Sequence, residues 1–86
     1  MKVVEYVIQD EVGLHARPAS KLVQSLSKFQ SSIFIEFEGK KANAKSIINL
    51  MSLGVTGKSK VLFHIEGADE EELSNSLVGI LSEHGI

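Results

Sequence analysis

Apolar and polar residues alternate along three stretches of the 86-residue chain, whereas apolar residues recur every three or four positions along three others. Alternation places apolar side chains on one face of a strand, and the longer spacing places them on one face of a helix. The alternating stretches predict strands over 3–8, 33–37 and 61–66. A short return strand over 40–43 would pair with the second strand through a hairpin turn at Glu38-Gly39.

Helical spacing marks the segment 16–28 and the compact apolar cluster 47–53. Ser46 precedes the cluster and Gly54 follows it. Serine accepts a hydrogen bond from the first turn of a helix, and glycine readily adopts the left-handed conformation that ends one. We therefore expect a short helix between these two residues. The longer segment is expected to bury one face, formed by Ala19, Leu22, Val23 and Leu26.

The last helical segment begins with an acidic run. Asp69 lies three residues before Glu72, which is the arrangement of a capping box. The order of elements is therefore βαββαβα, and residues 1–86 would form one domain. This order predicts an α+β, open-faced β-sandwich: a four-stranded antiparallel sheet with three helices on one face. The inner face of the last helix would consist of Leu73, Leu77, Ile80 and Leu81.

Composition narrows the class of protein. The chain is 43% hydrophobic and 23% charged, as is usual for a soluble domain with a single core. A formal net charge of −2 argues against a general nucleic-acid binder, and the absence of cysteine excludes disulfides and thiolate chemistry. No apolar stretch is long enough for a signal peptide or membrane span, so the cytoplasm is the expected location. The spacing of His64 and His84 suggests no metal site.

Candidate chemistry is concentrated where the first strand gives way to the first helix. His15, the only arginine (Arg17) and the only proline (Pro18) lie there. The first N–H groups of a helix, here those of Ala16 and Arg17, lack intrahelical partners, and such a helix start binds phosphate. A neutral imidazole there can attack phosphorus, and the N–H groups and guanidinium can share the charge of the adduct. Taken alone, this short motif is equally compatible with a histidine that merely begins a helix.

Residues 13–19, Gly-Leu-His-Ala-Arg-Pro-Ala, resemble the active-site signature of the HPr family, the histidine-containing phosphocarriers of the bacterial phosphoenolpyruvate:sugar phosphotransferase system. Residues 43–47 and 50–55 resemble the family's second signature, which surrounds a regulatory serine in members from low-GC Gram-positive bacteria. Residues 66–70 resemble the start of its last helix. The resemblance extends over the whole chain in length and element order.

The resemblance implies a monomeric carrier that needs no cofactor and has no enzyme activity of its own. His15 would accept a phosphoryl group on Nδ1 from enzyme I and donate it to enzyme IIA domains of sugar transporters, assisted by Arg17. Ser46 would be phosphorylated by HPr kinase/phosphorylase, and the modified form would bind the catabolite-control repressor. On the residues alone Ser46 is also an ordinary N-cap, and both roles can hold together. The apolar residues of the short helix that cannot all face inward would form a docking patch near His15: Ile47, Ile48 and Met51.

Three other readings of the sequence stay open. The first is a regulatory binding module that acts mainly through phosphorylated Ser46, although family members of that kind lack the histidine that matches His15. The second is an RNA-binding α+β domain, which would need basic flanks and several exposed aromatics on the sheet, where only Phe34 qualifies. The third is a phosphocarrier of a nitrogen-related pathway.

Three positions depart from the usual family pattern in ways that bear on partner preference: Val12, Ile48 and Asn49.

Overall fold

Seven elements follow one another in the predicted order βαββαβα in a computed structural model of the chain, which describes residues 1–86. Most element ends lie within one or two residues of the predicted ones, and the largest difference is that the first helix ends at Leu26 and not at Lys28. None of the three helices has the length and apolar character needed to cross a membrane. The elements are β1 (Lys2–Val7), α1 (Ala16–Leu26), β2 (Ser32–Phe37), β3 (Lys40–Asn43), α2 (Ile47–Leu53), β4 (Lys60–Glu66) and α3 (Glu70–Glu83).

The sheet has four strands in the order β1-β4-β2-β3, and every neighbouring pair is antiparallel. β4 therefore lies between β1 and β2, where Phe63 pairs with Val4 on one side and with Ile35 on the other. β2 and β3 form the predicted hairpin. Glu38 and Gly39 both have positive φ, 52° and 79°, as a two-residue type I′ turn requires.

The three helices cover one face of the sheet, so the predicted open-faced sandwich is confirmed. Alternate strand residues are buried against the helices, and the opposite face carries exposed apolar residues such as Val3 and Phe34. Two predicted inner-face residues, Val23 and Ile80, are only partly buried at the edge of the core. The largest fully buried side chains are Phe63, Ile8, Leu22, Leu26, Ile33, Ile35, Leu50, Ile65, Leu73, Leu77, Leu81 and Ile86.

The start of α3 differs from the predicted capping box. Asp69 is the N-cap, but its carboxylate makes no hydrogen bond to the helix. It accepts hydrogen bonds from the N–H of Gln30 at 2.8 Å, from the N–H of Ser31 at 2.9 Å and from the Ser31 hydroxyl. Glu72, the other member of the predicted box, is exposed. The capping prediction was wrong because donors in the loop between α1 and β2 take both carboxylate oxygens.

Candidate functional site

The loop that precedes α1, residues 8–15, is held by backbone hydrogen bonds to distant parts of the chain. The N–H of Leu14 donates to Val55 O, in the loop that follows α2, at 3.1 Å. The N–H of Gln9 donates to Ile86 O at 2.6 Å. Leu14, Val55 and Ile86 also bury their side chains in the core. The segment that leads to His15 is therefore anchored at both ends.

Two glycines permit the loops before α1 and after α2 to lie backbone to backbone. Gly13 has a φ of +99°, and a Cβ added there would lie 2.4 Å from Val55 O. A Cβ on Gly57 would lie 2.0 Å from Glu11 O. Both distances are far inside van der Waals contact, so only glycine allows this approach.

His15 is the N-cap residue of α1, with an extended backbone (φ −117°, ψ 178°). Its carbonyl accepts the first helical hydrogen bond from the N–H of Ala19 at 3.0 Å, and its side chain is 44% exposed. The N–H groups of Ala16 and Arg17 lie before the first helical hydrogen bond in the chain, so they have no acceptor within the helix. The His15 side chain does not cap them either. Pro18 comes next and has no N–H to satisfy. The helix start thus offers two free donors and the positive end of the helix dipole beside an accessible imidazole.

Asp10, which belongs to none of the sequence motifs described above, lies beside this imidazole. Its Oδ2 is 3.3 Å from His15 Nε2, and its Oδ1 accepts a hydrogen bond from the N–H of Val12 at 2.8 Å. The Val12 N–H and, after it, the His15 ring hold the pKa of Asp10 below its ordinary value. Nδ1 makes no hydrogen bond within the chain, so it is the ring nitrogen that remains available. The only signal in the sequence was an acidic residue five positions before the histidine.

Arg17 lies on the first turn of α1, is exposed and forms no ion pair with a carboxylate. Its guanidinium is therefore free to meet an anion at the helix start. A planar guanidinium with two parallel N–H donors suits phosphoryl oxygens.

The caps predicted for α2 are confirmed. The N–H of Asn49 donates to Ser46 Oγ at 3.4 Å, and Gly54 ends the helix in the left-handed region with a φ of 71°. Ser46 is half-buried, and its hydroxyl lies at a helix N-terminus. The helix contacts α1, so the two candidate sites are on neighbouring elements.

The α2 apolar patch, Ile47, Ile48 and Met51, lies on the exposed side of α2. Ile48 is 76% exposed, whereas Leu50 and Leu53 on the same helix are buried. At 3.6 residues per turn the apolar residues of this helix cannot all face inward, as the sequence indicated. The role of the α2 apolar patch in docking stays a prediction.

The two other histidines are engaged elsewhere. His64 Nε2 lies 2.8 Å from Glu36 Oε1 on the sheet, and His84 Nε2 lies 2.8 Å from the Ser25 hydroxyl between α1 and the end of α3. No group of three histidine, aspartate or glutamate side chains could hold a metal ion. His15 therefore stands apart from them as the histidine at a helix start.

An α+β sandwich with an accessible histidine at the start of its first helix is the arrangement expected of the histidine-containing phosphocarriers that the sequence resembles. The family model for the PTS HPr component phosphorylation site matches residues 3–83. The phosphocarrier protein HPr of Mycoplasma pneumoniae is 41% identical over 87 residues, which cover 100% of this chain and 99% of that protein. The chain belongs to the HPr family, whose members are phosphocarrier proteins of the phosphotransferase system and not catalytic enzymes.

Solved structures show the same relationship. The chain is similar to the crystal structure of HPr-C-His from Thermoanaerobacter tengcongensis, with a TM-score of 0.90 and 47% identity over 99% of this chain and 96% of that one. It is also similar to Crh, the Bacillus subtilis catabolite repression containing protein, with a TM-score of 0.76 and 40% identity over 94% of this chain and 93% of that one. That Crh structure is described as a swapped, intertwined dimer. Both carrier and regulatory proteins thus share this fold.

Proposed function

We propose that the chain accepts a phosphoryl group on His15 from phosphorylated enzyme I and donates it to enzyme IIA domains of sugar transporters. The observation that carries this proposal is the accessible imidazole beside the two uncapped N–H groups at the start of α1. Membership of the HPr family supplies the classes of donor and acceptor. No cofactor is needed, because the helix start itself supplies the groups that bind a phosphoryl anion.

The transfer needs few groups from this chain. The Nδ1 lone pair of His15 attacks phosphorus, the N–P bond forms, and the donor keeps the electron pair of the bond that breaks. The N–H groups of Ala16 and Arg17 and the Arg17 guanidinium donate hydrogen bonds to the phosphoryl oxygens. In the second transfer a nucleophile of the acceptor attacks phosphorus, and Nδ1 leaves with its electron pair.

The proposal is tested by incubating the chain with phosphoenolpyruvate and a trace of enzyme I. Intact mass spectrometry should show the gain of one phosphoryl group, lost in acid and retained in alkali, as expected of a phosphohistidine. The same phosphorylated chain should lose the group when an enzyme IIA domain is added. A chain that gains no phosphoryl group under these conditions would not be a carrier of this kind.

We expect Arg17→Ala to slow phosphoryl transfer about 10- to 100-fold, the value of one charge-assisted hydrogen bond. Because the side chain is exposed and unpaired, the free energy of unfolding should change by less than about 0.5 kcal/mol. Rapid-quench kinetics and thermal melting measure the two quantities. Lys21→Ala, which removes another exposed cation one turn along α1, is the matched control and should transfer normally. An Arg17→Ala variant with an unchanged rate would remove Arg17 from the site.

We also infer that Ser46 is a regulatory phosphorylation site, served by HPr kinase/phosphorylase and read by the catabolite-control repressor. A phosphoryl group at Ser46 would add up to about two negative charges at the N-terminus of α2, where the helix dipole favours them. The fold need not change. The charge would lie next to the α2 apolar patch, which must be desolvated when a partner docks.

Ser46→Asp is therefore expected to keep the fold and to raise the KM of enzyme I for the carrier, with relief at high salt. Ser46→Ala should transfer at a near-normal rate and lose about 1 kcal/mol of stability or less, the value of an N-cap. Steady-state kinetics at two ionic strengths and thermal melting make the comparison. If Ser46→Asp transfers as fast as the unmodified chain at low carrier concentration, charge in the interface is not the mechanism.

Similarity to Crh favours one alternative, a regulatory module that acts mainly through phosphorylated Ser46. The two functions differ in a single assay: a regulatory module would be phosphorylated at Ser46 by the kinase but would gain nothing from phosphoenolpyruvate and enzyme I.

We propose that the chain acts as a cytoplasmic monomer. Sedimentation at micromolar concentration would distinguish this state from a dimer such as that described for Crh.

A further inference from the structure

The Asp10 carboxylate is fixed before it meets His15. Its Oδ1 accepts the hydrogen bond from the Val12 N–H at 2.8 Å, a side-chain turn of the kind that aspartate favours in loops. The Asp10 N–H donates to Ile86 O at 3.3 Å, so both the backbone and one carboxylate oxygen are held. The remaining oxygen, Oδ2, faces the imidazole, with Nε2 at 3.3 Å.

An ionised carboxylate can only accept a hydrogen bond. Oδ2 lies 3.3 Å from His15 Nε2, so a neutral ring in this position carries its proton on Nε2 and its lone pair on Nδ1. The tautomer of a histidine is set by the hydrogen bond that its other nitrogen makes. We propose that Asp10 is a positioning residue that selects Nδ1 of His15 as the atom that accepts the phosphoryl group. This inference rests on the proposed function.

The same carboxylate suits the phosphorylated ring. When Nδ1 attacks phosphorus, its lone pair becomes the N–P bond, the donor's bond to phosphorus breaks with its electron pair, and the Nε2 proton stays in place. The ring then carries a positive charge that faces Asp10 Oδ2. When the phosphoryl group leaves, Nδ1 regains its lone pair. No proton has to enter or leave the ring in either direction, because Asp10 serves both states as an acceptor.

The substitution Asp10→Asn separates this role from a structural one. The asparagine carbonyl can still accept from the Val12 N–H, so the loop keeps its hydrogen bond. The amide NH₂ then faces Nε2 and, as a donor, favours a lone pair there and the proton on Nδ1. Glu11→Gln is the matched control, because Glu11 is the adjacent exposed acid and forms no hydrogen bond or ion pair with the ring.

The experiment uses long-range ¹H–¹⁵N NMR of the His15 ring in the full chain, at a pH where the imidazole is neutral. The native chain and Glu11→Gln should show the proton on Nε2, and Asp10→Asn should shift the population toward Nδ1–H. Single-turnover transfer from phosphorylated enzyme I should slow by about tenfold or more in Asp10→Asn, since only rings with a free Nδ1 react. The endpoint should still be one phosphoryl group on His15. Thermal melting would show that the variant is folded.

A native ring protonated on Nδ1 would overturn the inference, and so would an Asp10→Asn variant with the native tautomer and the native rate. The first of these outcomes would overturn the inference even if Asp10→Asn does not fold. A chain that takes up no phosphoryl group would contradict the proposed function, whereas the NMR result would still decide whether Asp10 sets the tautomer. Failure of one proposal is therefore distinguishable from failure of the other.

Discussion

His15→Ala is expected to abolish phosphorylation of the chain by phosphoenolpyruvate and enzyme I. The substitution removes the nucleophilic nitrogen at the start of α1, and no other histidine lies next to uncapped helix N–H groups. The fold should survive, because the ring is 44% exposed and its one hydrogen bond is to a loop carboxylate. Intact mass spectrometry measures the uptake, and thermal melting should show a Tm within a few degrees of the native value.

The matched controls are His64→Ala and His84→Ala. Their rings are engaged with Glu36 and Ser25 respectively, so both variants should still gain one phosphoryl group. The assignment of His15 as the acceptor would be wrong if His15→Ala gained a full equivalent of phosphoryl group. It would also be wrong if the phosphoryl group of the native chain were found on His64 or His84.

Asp69→Asn is expected to lower the Tm by about 5–15 °C. Both carboxylate oxygens accept hydrogen bonds from the loop before β2, and asparagine would turn one of them into an NH₂ group that faces a donor. Ser31 is fully buried, so its N–H and hydroxyl cannot turn to water instead. Calorimetry or circular dichroism measures the Tm. Glu72→Gln, an exposed acid on the first turn of the same helix, should change it little.

The loss of Tm caused by Asp69→Asn should become smaller at acidic pH. The Ser31 hydroxyl and, after it, the Gln30 N–H hold the pKa of Asp69 below its ordinary value of 3.8 in the folded chain. The ionised carboxylate therefore contributes its full stability above that ordinary value, and the contribution is lost as the pH falls through the folded pKa. The Tm difference between the native chain and Asp69→Asn should be constant at neutral pH and should narrow below about pH 4. A difference that narrows between pH 5 and 8 would contradict this assignment.

Features set by neighbouring residues were predictable from the sequence. The start of α1 at Ala16, the caps of α2 and the hairpin turn at Glu38-Gly39 each depend on a few adjacent residues whose backbone preferences are strong. The family signature identified the segment around His15 for the same reason, since its residues are contiguous.

Features set by distant residues were not. The capping prediction for Asp69 used residues three positions apart. The groups that donate hydrogen bonds to its carboxylate belong instead to Gln30 and Ser31, which are 39 and 38 positions away. Asp10 was missed because an irregular loop, with no periodicity to interpret, brings its carboxylate to His15. In both cases the tertiary structure decides which partner an acidic side chain meets.

The hydrogen bonds from Leu14 to Val55 and from Gln9 to Ile86 have a consequence for when the chain becomes able to carry phosphate. A peptide of residues 13–19 contains Leu14 but not its acceptor Val55, and neither Gln9 nor Ile86. A helix that short is also unstable alone in water. Because only the folded chain makes these long-range contacts, an incomplete or damaged chain would present the signature without the arrangement that accepts the phosphoryl group. If the chain is the carrier proposed above, uptake of a phosphoryl group would therefore report on the integrity of the whole domain.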